Sequence, residues 1–315
     1  MTAGTTTPHA ATAPPKTRKR ILTGDRPTGR LHLGHYVGTL ENRVKLQETY
    51  DTFLLVADHH MLTTRLDRLD EIETNIRDVV LDNLSAGIDP DKVTIYLQSL
   101  VPQTAEIHLL FSMLVTVPRA QRIPTLKETM RDFDIAQPSY GLLGYPILQA
   151  ADILCVKGDL VPVGRDQESH IELTREVARR FNELYGDVLP VPQALIPSER
   201  LLPGTDGSTK MSKSLGNAID LADDPASVKR KVMGMYTDPA RVRATDPGKV
   251  EGNPVFVYHD MFNTDAAEVA DLKERYRAGR VGDVEVKQKL VSARAEAART
   301  LHEMRAAMKL DYFGT

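Results

Sequence analysis

A chain of 315 residues with 41% hydrophobic and 26% charged side chains has room for two domains or one enlarged α/β domain, with the composition of an ordinary globular protein. Disordered, collagen-like and small disulfide-stapled classes are excluded. With 40 basic against 43 acidic residues the net charge is −3, so bulk electrostatics select no partner. Tryptophan is absent and aromatics are 5%, which leaves few stacking platforms for single-stranded nucleic acid. Cys155, the single cysteine, stands in the apolar run Ile153-Leu154-Cys155-Val156 and reads as a buried thiol in a cytoplasmic protein. The longest apolar stretch, Leu109 to Val117, is too short to span a bilayer. Residues 1–19, rich in Thr, Ala and Pro and ending in cations, have no secretory apolar segment and read as a disordered basic arm.

The elements follow in order. A β-prone run, Arg20 to Thr23, leads into the turn-rich Gly24-Asp25-Arg26-Pro27-Thr28-Gly29, and then into a helix whose Val37, Leu40 and Val44 recur at helical spacing. Phe53 to Ala57 is a continuous apolar run suited to a strand buried on both faces. A helix carrying Leu69, Ile72, Ile76, Val79, Val80 and Leu84 on one side closes at Ala86-Gly87, and Val93 to Leu97 is the next strand. This strand–helix alternation predicts a parallel doubly wound sheet. Residues from about 103 to 143 are mostly helical and read as an insertion. The rhythm resumes with a short helix from Pro146 to Cys155, a strand from Leu160 to Val163 and a helix from Gln167 to Phe181. These segments make residues 20–205 one domain. Residues 206–220 form a Gly-, Ser- and Lys-rich mobile loop. Residues 221–315 form a separate all-helical domain with helices at Pro225 to Tyr236, Thr264 to Ala278 and Gly282 to Leu310.

Two segments carry chemistry. Gly24 to Gly29, followed by His32-Leu33-Gly34-His35, sits between the first strand and the first helix, where open α/β sheets bind ligands and helix N-termini attract anions. Gly34 lacks the Cβ that would keep a flat base off the backbone. His32 and His35 fall on one helical turn, placed to donate to a phosphorus centre gaining charge. An isolated pair of this spacing is as often a surface turn. No P-loop sequence is present. The second segment, Lys210-Met211-Ser212-Lys213-Ser214, sets two ammonium groups three apart on the loop, an arrangement suited to a polyphosphate. Alone, such a pair is usually solvated surface.

Taken together and in this order, the HLGH and KMSKS segments resemble the two signatures of class I aminoacyl-tRNA synthetases. Gly144-Tyr145-Pro146-Ile147-Leu148-Gln149-Ala150-Ala151-Asp152, then Val163-Gly164-Arg165-Asp166-Gln167, then His170-Ile171-Glu172-Leu173 resemble the tryptophanyl-tRNA synthetase family within that class. ATDPGKVEGNPVF at 244–256 is closer to an auxiliary bacterial branch. The resemblance implies a Rossmann-like catalytic domain of the HUP type and a helical C-terminal domain that meets the tRNA anticodon. It also implies a homodimer, and a two-step activation of L-tryptophan with ATP and Mg²⁺ that ends in transfer to the 3′ end of tRNA.

Residue by residue, the resemblance puts Asp152 on the indole N–H. Physical chemistry agrees: indole has one donor and no acceptor, so a carboxylate in an apolar setting separates it from a bare ring. Tyr145 and Gln167 fall on the substrate amino group, His60 on the edge of the amino-acid pocket and Gln149 on the position against the indole. ATP is met by Arg26, Pro27, Thr28, Gly34 and His35 at base and phosphates, by Gly164, Arg165 and Asp166 at the ribose, and by the Leu201 backbone at adenine. Lys210, Met211, Ser212, Lys213 and Ser214 lie on the pyrophosphate side. His32, His35, Lys210 and Lys213 carry the catalytic roles, and no protein metal site is implied. Three positions depart from the family pattern: Arg26 replaces a glutamine, Gln149 a methionine and Thr129 a lysine. The C-terminal domain is several helical turns short near Leu290-Val291. A tyrosyl-tRNA synthetase on the same scaffold, or a synthetase-like tryptophan sensor, would share many of these residues.

Overall fold

The computed structural model describes residues 18–67, 69–196 and 201–292; the basic arm up to residue 17 and the last predicted helix beyond residue 292 lie outside the described residues. Strands β1 (Arg20–Asp25), β2 (Asp51–Val56), β3 (Val93–Leu97), β4 (Leu160–Pro162) and β5 (Gln193–Leu195) form one sheet of order β3-β2-β1-β4-β5. Every pairing is parallel, the doubly wound arrangement that the strand–helix alternation predicts. β1 and β2 run in register from Arg20 against Asp51 to Asp25 against Val56. Their approach is so close that a Cβ on Gly24 would sit 2.4 Å from the Leu55 carbonyl oxygen, which makes glycine obligatory there.

Helices cover both faces. The first begins as α1 (Leu33–His35), widens into a π-helical turn at Tyr36–Leu40 and continues as α2 (Glu41–Leu46). The crossovers that follow are α3 (Asp58–Leu62) and α4 (Ile72–Ser85), the latter closed by Gly87 at φ +109°, a conformation few other residues adopt. The insertion is α5 (Gln103–Ser112), α6 (Val117–Ala120) and α7 (Pro124–Asp132). Phe111, Leu126, Leu142, Ala150 and Leu173 form the buried centre between it, α8 (Tyr140–Cys155) and α9 (Glu168–Tyr185).

Three local expectations are corrected. The helix expected to start at Pro146 starts at Tyr140, capped where Ser139 Oγ accepts from Leu142 N at 3.1 Å. Proline costs it one backbone donor, but burial of Ile147, Ala150, Ala151 and Leu154 holds the turn. Strand β5 has only three residues between prolines, too short to show a period. Helices α10 (Pro225–Met233), α11 (Pro254–Phe262) and α12 (Ala266–Arg277) follow. Of these, α11 was not expected: Val255, Phe256, Tyr258 and His259 are all buried, so its sequence lacks an amphipathic stripe. Among the described residues the helical C-terminal part shares its core with earlier segments. Leu33 and Val37 of the first helix and Met211 of the loop share one apolar cluster with Val228, Phe256, Tyr258 and Tyr276. Among the described residues no helix is long and apolar enough to cross a membrane.

Candidate active site

The carboxyl ends of the parallel strands release nearly every chemistry-bearing segment: the 24–35 turn after β1, Asp58-His59-His60 after β2, Gln98 after β3 and Gly164 to Gln167 after β4. Ligands gather at this edge in open α/β sheets.

In the first half of the site the two lysine- and histidine-bearing segments meet. Residues 31–33 pair with 219–221 through Leu33 N to Ile219 O and Leu221 N to Leu31 O, both 2.9 Å. Gly34 N donates to His32 Nδ1 at 3.1 Å and lies 3.4 Å from Met211 Sδ. A Cβ on Gly34 would approach the His32 ring to 2.9 Å, so glycine is required by the neighbouring imidazole as well as by any ligand. A Cβ on Gly29 would lie 3.2 Å from Lys213 Nζ, so this ammonium hangs over the 24–29 turn. Met211 is 4% exposed and anchors the loop. Asn217 completes the fold of that loop. Its Oδ1 accepts from Ser212 N at 2.7 Å, and its amide donates to Ser208 Oγ at 2.8 Å and Asp206 Oδ1 at 3.0 Å.

The imidazoles of His32 and His35 stack with centroids 3.8 Å apart. His32 Nδ1 accepts from Gly34 N, and His35 Nδ1 accepts from His32 N at 3.1 Å. In both rings the proton therefore sits on Nε2, the nitrogen left for a ligand. Burial, together with the nearby Lys213 and Lys210, pushes both down to about 4, so each is a neutral donor at pH 7. Beneath them Arg43, 4% exposed, grips Asp25 with two nitrogens at 2.5 and 3.0 Å and takes the Gly24 carbonyl at 3.0 Å. Asn83 donates to the same carboxylate at 3.2 Å. Burial alone would raise Asp25, but the Arg43 charge and hydrogen bonds outweigh it and hold the carboxyl below its usual range.

The second half lies on α8, where Tyr145, Gln149 and Asp152 share a face at helical spacing. Asp152 is 2% exposed. Its carboxylate accepts from His60 Nε2 at 2.8 Å and from Gln98 Nε2, which spans both oxygens at 2.9 Å. A carboxylate offers about four acceptor positions, so Oδ1 keeps room for one more donor. Tyr145 Oη is 2.9 Å from Thr125 Oγ1 and 3.2 Å from His170 Nε2, while Gln149 Oε1 meets His170 Nδ1 at 2.6 Å.

The model of the class I tRNA synthetases (W and Y) matches residues 15–298. The tryptophan–tRNA ligase of Treponema pallidum is 60% identical over 276 residues, covering 87% of this chain and 82% of that one. The tryptophan–tRNA ligase of Borreliella burgdorferi is 54% identical over 301 residues, covering 94% and 86%. This chain belongs to the tryptophanyl-tRNA synthetases. Among solved structures, the Campylobacter jejuni tryptophanyl-tRNA synthetase complexed with ADP and tryptophan superposes with a TM-score of 0.82 at 31% identity, over 93% of this chain and 90% of that one.

In this synthetase fold the expected residues fall into groups. Gly34, His32, His35, Met211 and Lys213 converge, with Pro27 buried in the turn, Arg26 exposed beside it and Thr28 N bonded to Arg26 O at 2.8 Å. Lys210 is exposed on the same loop, and the side chain of Ser214 lies outside what is described. Asp152 and His60 are bonded, and Tyr145 and Gln149 are joined through His170. Gly164, Arg165 and Asp166 are exposed after β4, where Asp166 takes the Gln167 amide at 2.8 Å, so Gln167 is turned toward its neighbour and makes no bond to Tyr145. Leu201 is exposed and directly follows the undescribed residues 197–200. Sequence reasoning passed over Arg43, Asn83, Gln98, Thr125, His170 and Asn217. All but Asn217, which lies in the loop, are isolated polar residues in or beside elements whose pattern is read for its apolar face; the only signal was the place of His170 in the family-like HIEL stretch.

Proposed function

We propose that the chain is an ATP-dependent tryptophan–tRNA ligase of the cytoplasm. The observation that carries this reading is the junction of the HLGH turn with the KMSKS loop, together with a buried carboxylate on α8. In the first step the tryptophan carboxylate oxygen attacks the α-phosphorus of ATP, the bond to the bridging oxygen breaks, and pyrophosphate leaves from the adenylate. In the second, a ribose hydroxyl at the tRNA 3′ end attacks the activated carbonyl and AMP leaves. No protein nucleophile is needed; positioning and charge stabilisation suffice. The Nε2–H groups of His32 and His35 serve the α-phosphate, and Lys210 and Lys213 the leaving pyrophosphate. Gly164, Arg165 and Asp166 serve the ribose, the Leu201 backbone adenine, and Tyr145 and Gln167 the ammonium. Mg²⁺ would be carried in on the triphosphate oxygens.

Asp152 favours indole over phenol. It presents an acceptor held by two donors, and the ring N–H of tryptophan is the donor that completes it. Tryptophan-dependent ATP–pyrophosphate exchange, with tyrosine as the competing substrate, tests the first step. Charging of tRNA tests the second and separates a ligase from a sensor. A homodimer would cover apolar side chains that the insertion leaves exposed, namely Leu109, Leu110, Met113, Val117 and Tyr140. Light scattering on wild type and Met113→Glu tests it.

A further inference from the structure

His170 is 1% exposed and ties three helices together: Thr125 of α7, Tyr145 and Gln149 of α8, and its own α9. The bonding fixes which atoms carry hydrogens. A carbonyl oxygen only accepts, so the 2.6 Å contact between Gln149 Oε1 and His170 Nδ1 puts the imidazole proton on Nδ1. Burial pushes this ring down to about 4, so it holds that one proton and Nε2 is an acceptor. Thr125 Oγ1, 2.5 Å from Nε2, donates its single hydrogen there. Having done so it accepts the Tyr145 hydroxyl hydrogen across 2.9 Å. The chain of donors runs one way, from Tyr145 through Thr125 and His170 to Gln149.

Both ends of this chain lie on the face of α8 that also carries Asp152. Tyr145 has spent its only hydrogen inward, and its oxygen, which Thr129 also approaches, keeps acceptor capacity toward the pocket. Gln149 has spent its oxygen inward, and its amide nitrogen has no partner among the described residues, so it turns donors outward. The wall along α8 then reads acceptor, donor, acceptor at 145, 149 and 152.

We infer that His170 is a positioning residue that sets the hydrogen-bond polarity of the amino-acid pocket, making Tyr145 an acceptor for a substrate ammonium and Gln149 a donor toward the ring. The inference rests on the proposed binding of tryptophan and adds to it a reason for selecting an amino acid over an indole acid without the amine. It also explains how Gln149, polar where the family pattern has methionine, stands in the pocket with its carbonyl satisfied.

Two amides dissect the imidazole. In His170→Asn the amide N–H takes the place of Nδ1–H and keeps Gln149, but the acceptor for Thr125 is lost. In His170→Gln the side-chain oxygen takes the place of Nε2 and keeps the Thr125–Tyr145 branch. His170→Phe loses both. The readout is the ratio of the inhibition constant of indole-3-propionate, which lacks the ammonium, to the KM of tryptophan in ATP–pyrophosphate exchange. We expect His170→Gln to stay within about threefold of wild type. His170→Asn and His170→Phe should lose about tenfold in that ratio, the worth of one hydrogen bond to a charged group, with the KM of ATP unchanged. Equal ratios in all variants, or a parallel rise of both KM values with equal losses of Tm, would overturn the inference. If His170→Phe does not fold, the two amides still decide. Calorimetric binding of tryptophan and indole-3-propionate gives the same ratio without turnover, so an inactive wild type overturns the proposed function and not the relay.

Discussion

Replacing Asp152 by asparagine perturbs one atom and two roles. The carboxylate is 2% exposed and accepts from His60 Nε2 at 2.8 Å and Gln98 Nε2 at 2.9 Å. Asparagine keeps one oxygen and turns an N–H₂ toward a neighbour that is already a donor, leaving that neighbour buried and unsatisfied. That costs about 2 kcal/mol, and losing the charged acceptor for the indole N–H costs about 2 kcal/mol more. The second part alone, about 2 kcal/mol, enters kcat/KM for tryptophan, a loss of about thirtyfold. Only the first part appears as lost stability. The assay is tryptophan-dependent ATP–pyrophosphate exchange, run beside an analogue whose ring nitrogen is replaced by sulfur. Wild type should reject the analogue strongly, because its buried acceptor is then unmet, and Asp152→Asn should narrow the preference at least tenfold. A kcat/KM for tryptophan within about threefold of wild type, or an unchanged preference over the sulfur analogue, would refute the assignment of Asp152 to the indole.

His32, His35 and His170 are pushed from 6.5 down to about 4. The unfolded chain therefore gains protons on them as pH falls below 6.5 while the folded chain does not, and stability is lost between pH 6.5 and 4. Tm should be flat from pH 8 to 7 and fall progressively below 6.5, less steeply in His35→Asn; a Tm unchanged down to pH 5 would contradict the buried neutral imidazoles. Lys213→Ala should lower the turnover of pyrophosphate exchange about a hundredfold, as removal of a group that stabilises developing charge does. The KM of tryptophan should stay within about threefold, and an unchanged turnover would remove Lys213 from the chemistry. Arg43→Met strands the Asp25 carboxylate beneath the 24–29 turn. It should cost about 3–5 kcal/mol of stability in urea unfolding; a loss below about 1 kcal/mol would mean that the carboxylate finds another partner.

Strands β1 to β4 were legible because a sheet covered on both faces writes itself as short apolar runs: Phe53 to Ala57 and Val93 to Leu97 were placed within two residues of β2 and β3. The turn–helix signature and the lysine loop were legible as motifs, and their meeting at Gly34 and Met211 follows from the pairing of 31–33 with 219–221, which no local pattern announces. Helix α11 was illegible because burial on nearly every side erases periodicity. The side chains beneath the site were illegible for a different reason. Arg43, Asn83 and Gln98 look like ordinary polar positions until the fold brings Asp25 and Asp152 against them, and a buried carboxylate obtains its partners from sequence-distant elements.

The electrostatics of the site make sense only with a polyanion in view. Lys210 and Lys213 form no ion pair with an acid among the described residues, whereas Lys231 nearby is held between Asp220 and Asp223 at 3.2 and 2.6 Å. Arg26 is likewise exposed on the turn. Lys210 and Lys213 are among the groups that, after burial, keep His32 and His35 neutral. A triphosphate arriving among them neutralises the lysines and so removes part of what held the imidazoles neutral; their Nε2–H groups then strengthen as donors when charge develops on the phosphorus. The backbone bonds at Nδ1 fix the tautomers beforehand, so this gain needs no rotation or proton exchange. A rigid pair of neutral donors under a loop of cations is thus a receptor completed by its ligand's charge, and Asp25 clamped by Arg43 and Asp220 and Asp223 held by Lys231 are acids already spent on other partners.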